Sequence, residues 1–251
     1  MENELFDLAV QASTRVPPKN VIGTQSEYRL HGALKYYFQP DDRFHEIKVD
    51  GFICDAVSED GDEIIEIQTR AFSRLKKKIE TLTKEHKVTV IYPMTVEKTV
   101  YVTYDDSGET SVRKSPKKHR PVDFFTELYS LRDYLGNKNL CFRLAVLKCN
   151  EFRVYKGTKV GRKPFQKPIS TERIPTELIE VIELNTPSDF YRFVPEKLPE
   201  YFNSDIFSKA SGITRNEASY MLKPLTVLGV LNRTGKVGNS YIYEVTDKPS
   251  I

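Results

Sequence analysis

Hydrophobic and polar positions recur along this chain with two different periods, and the switches between them predict its elements. Residues 3–13 carry the helical period of a short amphipathic helix, which the breaker RVPPKN closes. A second helix fits 26–39, where Leu30, Ala33, Leu34, Tyr37 and Phe38 share one face; Ser26 is its expected N-cap and Pro40 ends it. Three β-rich runs follow, FHEIKVD, FICDAVS and EIIEIQT, the last two joined by a turn centred on Asp60-Gly61. Asp-Gly between apolar runs is a strong hairpin signal, because both residues tolerate positive φ. AFSRLKKKIETLTKEH then predicts a basic helix, VTVIYPM a strand and YVTYDDSGETSV a hairpin. PVDFFTELYSLRDYL predicts a helix opened by Pro121, and NLCFRLAVLKC a further buried strand. Helix, three strands, helix, strand, helix, strand is the order of an α/β core over residues 20–150.

From residue 151 the pattern changes. GTKVGRKPFQKP is basic and rich in proline and glycine, so 151–177 reads as a linker between a first domain, 1–150, and a second, 178–251. Within the second, SDIFSKAS predicts a helix, GI a turn, TRNEASYMLKPLTVLGV a second helix, and LNRTGKVGNSYIYEV a two-stranded ribbon with Gly235 and Gly238 at its tip. That order resembles a small winged-helix domain. Ala218, Met221, Leu222, Leu225, Leu228 and Val230 form the buried stripe of its second helix, with Thr214 as N-cap. Arg215, Asn216, Ser219 and Lys223 fall on the exposed side, where a recognition helix meets the major groove. Arg233, Lys236 and Asn239 at the ribbon tip suit a phosphate or the minor groove. Winged helices also dock proteins, and that alternative stands beside DNA.

The hairpin poses the chemical question. With Asp60 and Gly61 at the turn's centre, Val57 faces Ile64, Ala56 faces Ile65, and Asp55 faces Glu66. Directly opposed carboxylates repel and destabilise a strand pair. Their neighbours are apolar on both sides, which places the pair centrally in a sheet, where an apolar residue would be cheaper. A divalent cation resolves the conflict, since Mg²⁺ is held by one or two carboxylates with water and phosphate oxygens. Gln68 lies on the same face as Glu66. A solvent-exposed face carrying ordinary polar acids is the alternative. On the preceding helix Glu27, His31 and Lys35 form one polar stripe, which taken alone is an ordinary solvated face.

Composition narrows the classes. The 251 residues are 39% hydrophobic with 14 Tyr and 14 Phe, enough for real cores, and a net charge of +3 describes a mildly basic protein. Cys54, Cys141 and Cys149 lack metal spacing and read as reduced, buried thiols of a cytoplasmic protein. No run reaches the length of a membrane span, and the acidic MENELFDLAV lacks the pattern expected of a signal peptide. His45, His86 and His119 suggest no zinc site, and no nucleophilic triad, phosphate-binding glycine loop or dinucleotide fingerprint is present. Two basic runs, Arg113–Arg120 and Lys156–Arg173, read either as mobile solvated loops or as the lining of a DNA channel.

A glutamate on an N-terminal helix, D-x10-E-x-Q across a hairpin and a following basic helix together resemble the PD-(D/E)XK nuclease superfamily. The resemblance covers residues 20–150. It implies a restriction-endonuclease-like mixed sheet flanked by helices, with Asp55 and Glu66 as metal-binding acids and Glu27 supporting the metal or its water. Mg²⁺ (or Mn²⁺) is the implied cofactor. Cys54 stands where the name-giving proline would be. Gln68 stands in place of the usual lysine; it can orient water but cannot neutralise transition-state charge. In some members that lysine migrates to the following helix, and among Lys76, Lys77 and Lys78 the choice falls on Lys78, which precedes Ile79. His31 and Lys35 are candidates for holding a phosphate. The expectation is a metal-dependent endonuclease acting on double-stranded DNA, with no membrane partner, and compatible with a homodimer or a partner subunit. A DNA-binding regulator or complex subunit with an inactive nuclease fold is the alternative that Gln68 keeps open, and a protein–protein adaptor is a third.

Overall fold

The computed structural model describes residues 2–15, 25–105, 107–155 and 168–247, the side chains of Glu2, Arg15 and residues 25–28 excepted. Helices α1 (Glu2–Arg15) and α2 (Gln25–Phe38) precede an antiparallel meander of β1 (His45–Val49), β2 (Phe52–Val57) and β3 (Glu63–Ile67). The second helix begins at Gln25, so Ser26 lies inside it rather than capping it. Helix α3 (Lys76–Leu82) then carries the chain over to β4 (Lys87–Tyr104), which lies parallel to β3, as a helical crossover requires. β5 (Thr110–Lys114) returns as a hairpin on β4. Helix α4 (Pro121–Leu128), extended by a 3-10 segment to Tyr134, carries the chain to β6 (Leu140–Tyr155), parallel to β4. With β7 (Ile169–Leu184) the result is a seven-stranded mixed sheet of order β1-β2-β3-β4-β6-β7, with β5 beside β4.

Both faces of this sheet are covered. Phe6, Leu30 and Leu34 of α1 and α2 pack on Ala56, Ile65, Ile67, Ile91, Ala145 and Leu147. On the other face Phe72, Ile79, Phe124, Phe125 and Leu128 pack on Val90, Tyr92, Phe142 and Leu144. That explains why the strands read as nearly continuous apolar runs. All three cysteines are buried and free.

The expected linker is corrected. Residues 151–155 complete β6, and 169–177 belong to β7 (Ile169–Leu184), which pairs antiparallel with β6 along its length. The polar residues that resembled a linker are cross-strand partners: Lys148 holds Glu177 at 2.7 Å, and Glu151 lies opposite Arg173. The boundary expected at 178 therefore falls inside a strand. Of the run Lys156–Arg173, residues 156–167 lie outside the described residues. Nor is 113–120 a loose loop, because Ser115 N–H donates to the Lys98 carbonyl at 2.7 Å and His119 N–H to Thr95 at 2.9 Å.

The C-terminal part begins with a 3-10 segment at Pro187–Phe193 and continues through α5 (Ser204–Ser211), α6 (Arg215–Val227), β8 (Leu231–Val237) and β9 (Ser240–Val245). Gly212 ends α5 with φ of 63°. Thr214 caps α6 and accepts from the Glu217 N–H, while the Glu217 carboxylate accepts from the Thr214 N–H. Phe207, Ala218, Leu222 and Leu225 share one continuous core with Phe125 and Leu128.

Candidate active site

The hairpin adopts the register that its turn predicts, Ala56 opposite Ile65 and Val57 opposite Ile64, with Gly61 at φ of 79°. One step further the ladder ends, and the two acids occupy that end. The Ile67 N–H donates to Asp55 Oδ2 at 2.7 Å, and the Asp55 N–H faces the Glu66 carboxylate. Each carboxylate thus takes up a backbone amide of the neighbouring strand.

Two helices supply counter-charges. From α2, His31 Nε2 lies 3.1 Å from Asp55 Oδ2. From α3, Lys78 Nζ lies 2.5 Å from Glu66 Oε1 and donates to the Ile53 carbonyl at 2.6 Å. Glu66 is only 5% exposed, and its Oε1 has no hydrogen-bond partner beyond this ion contact. The two acids are consequently driven apart in acidity. Burial and the nearby Asp55 charge push Glu66 up to about 7, against the pull of Lys78. Burial would also raise Asp55, but His31 and the Ile67 amide outweigh it and hold that carboxyl below its ordinary range. The same pairing raises His31 against the effect of its own burial. The Cys54 thiol, beside them and buried, is pushed up to about 11.

Four of the sequence-predicted residues therefore meet: Asp55, Glu66, Lys78 and His31. Others do not. Lys35 forms an ion pair with Glu46 of β1 and His31 pairs with Asp55, so both candidate phosphate holders are engaged by nearby acids in this structure. The Gln68 amide donates to the Arg70 carbonyl, within the turn leading to Ala71 at φ of 57°, rather than to the acids. The Glu27 side chain lies outside the described residues. Among the described residues no group of three or more His, Cys, Asp or Glu is placed to hold a metal ion. The Ile53 carbonyl and Glu46 escaped the sequence reading: a backbone acceptor carries no sequence signal, and Glu46 read as an ordinary strand residue.

In the C-terminal part Arg215 is engaged by Asp205 at 3.1 Å, while Asn216 and Lys223 are exposed. Glu217, at the start of α6, reaches Arg120 at the start of α4, 2.5 Å away. Arg233 and Lys236 both lie over the Tyr241 ring.

A mixed α/β sheet whose β2–β3 end carries the buried Glu66 and the half-buried Asp55, paired with Lys78 and His31, defines the class. The chain belongs to the family described as Domain of unknown function (DUF8091), which matches residues 28–185. The match runs from α2 to just past the end of β7, taking in His31, Asp55, Glu66 and Lys78 and stopping before α5. A relative described as an uncharacterized protein of Treponema pallidum (strain Nichols) is 30% identical over 222 residues, covering 88% of this chain and 86% of the relative. No solved structure matches. Among the described residues no helix is long and apolar enough to cross a membrane.

Proposed function

We propose that this protein is a divalent-metal-dependent endonuclease of the PD-(D/E)XK type, and that its C-terminal part holds duplex DNA as a winged helix. The observation that carries this reading is the meeting of Asp55, Glu66 and Lys78 at the end of the β2–β3 ladder. The order α2, β1–β3, α3, β4 around them also agrees with the resemblance. The donor set fits a hard cation: two adjacent carboxylates, one of them buried with only the Lys78 ammonium on its Oε1, suit an ion that keeps water and phosphate oxygens as its remaining ligands. When bound, such an ion polarises the phosphoryl oxygen and lowers the pKa of its water. Asp55 and Glu66 would hold it, and Lys78, released from Glu66, would stand ready to neutralise charge developing on the phosphate. Its position on α3 supplies the cation that Gln68 lacks. His31 fixes the orientation of Asp55.

Cleavage of supercoiled plasmid and of duplex oligonucleotides with Mg²⁺ or Mn²⁺ tests the reading. Wild type should cut, Asp55→Asn should not, and added metal should raise the melting temperature of wild type alone. Equal metal responses in the two proteins would remove the acids from any metal site. The second reading, an inactive nuclease fold serving as a DNA-binding regulator or complex subunit, draws on the internal pairing of both acids: salt-dependent duplex binding without cleavage is its signature.

A further inference from the structure

The pairing of β8 with β9 shifts register between Arg233 and Gly235, so β8 carries one extra residue there. Side chains alternate along a strand, and positions 233 and 236 would ordinarily face opposite ways; the bulge returns both to one face. There they lie over Tyr241, with the Arg233 guanidinium 4.3 Å and the Lys236 ammonium 5.6 Å from the ring centroid. Tyr241 is nevertheless 44% exposed. Tyr243 shares its face and stacks on Phe202, the ring centroids 6.2 Å apart and the planes 25° from parallel, which anchors the ribbon to the segment before α5. On the opposite face Glu244 accepts from Asn232, and Glu200, Glu244 and Asp247 line an acidic groove. The ribbon is polarised: one side is basic and aromatic, the other acidic.

A cation alone suffices to hold a phosphate. The Tyr241 ring, partly exposed with the two cations lying over it, offers in addition a plane on which a base can stack once a cation moves off it to that nucleotide's phosphate. Inside a duplex both faces of each base are already covered, so the ring gains only where a base is unpaired. We propose that this ribbon face is a stacking platform for an unpaired base, and that the protein's nucleic-acid ligand carries a single-stranded segment beside a duplex. The proposal rests on the nucleic-acid reading above and narrows its substrate.

The test uses the full chain in EDTA with a labelled blunt duplex and the same duplex bearing a single-stranded extension, with 2-aminopurine in the extension. The extension should tighten binding roughly ten- to hundredfold, and binding should quench the 2-aminopurine. Tyr241→Ala should lose both gains while keeping its affinity for the blunt duplex; Tyr241→Phe, which retains the ring, should keep both. Equal wild-type affinity for the two DNAs, or no quenching, overturns the stacking platform and leaves duplex binding standing. These two wild-type readings decide the matter even if Tyr241→Ala fails to fold. If neither DNA binds in a salt-dependent way, the nucleic-acid reading falls with it, and the patch reverts to a protein-docking surface.

Discussion

Asp55 and Glu66 are neighbours in the same sheet end, yet their surroundings drive their acidities in opposite directions. Asp55 has an imidazole and an amide that outweigh its burial; Glu66 has an ammonium and an amide that burial and the negative charge of Asp55 outweigh. The sign of the consequence for Glu66 follows from linkage. Its folded-state value, about 7, lies above the ordinary carboxylate range, so between the two the folded protein binds more protons than the unfolded chain. Glu66 therefore weighs least on stability at acid pH, and the folded state loses ground as pH rises toward 7. Glu66→Gln should flatten that decline: thermal melts from pH 4 to 8 should show the variant gaining on wild type as pH rises. A gap that stays constant with pH would mean that Glu66 is ionised throughout. Asp55 has the opposite slope, its contribution being lost only as pH falls through its depressed folded value.

At the scale of elements, the β2–β3 hairpin is the part that could be read from sequence in detail. The hydrogen-bonded turn spans Ser58–Gly61 and is centred on Glu59-Asp60, one residue before the expected Asp60-Gly61, yet the pairing is the expected one and brings the acids side by side. Gly61 takes φ of 79°, a conformation that costs little only without a Cβ. Gly61→Ala should cost about 1 kcal/mol, visible in chemical denaturation, and should weaken whatever metal response the acids confer. β7 could not be read in this way, because Glu172, Arg173 and Glu177 suggested solvent when their partners lie across the sheet or on α2: Arg29 with Glu172 at 2.7 Å, Lys148 with Glu177. Single-chain periodicity carries no record of a partner far away in sequence. Bulges hid more. The shift near Val96 in β4 reverses which residues face α2, placing Lys98 against Glu151 at 2.5 Å, a pair that no uninterrupted alternation predicts.

At the scale of the whole molecule, the two expected domains share their apolar interior. Phe207, Leu222 and Leu225 of the C-terminal part lie in one core with Phe125 and Phe142, and Arg120 ties α4 to α6 through Glu217. A chain cut near residue 175 would divide β7 and uncover that core. Thermal unfolding should accordingly be a single transition. Leu225→Ala, which empties a fully buried position, should lower that one transition by an amount equivalent to roughly 2–5 kcal/mol. Two separable transitions, only one of them moved by the substitution, would show that the parts fold independently.

The Ile67 amide gives the sheet end a built-in gauge. Its proton is held by Asp55 Oδ2, an oxygen that a bound cation would also claim. If a cation takes that oxygen, the amide loses its acceptor and its hydrogen exchange should quicken, even as the surrounding sheet gains protection from binding. One backbone proton moving against the trend of its neighbours would report occupancy directly, with no substrate present and no reaction required. Uniform protection at Ile67 and along β3 would mean that the cation binds elsewhere.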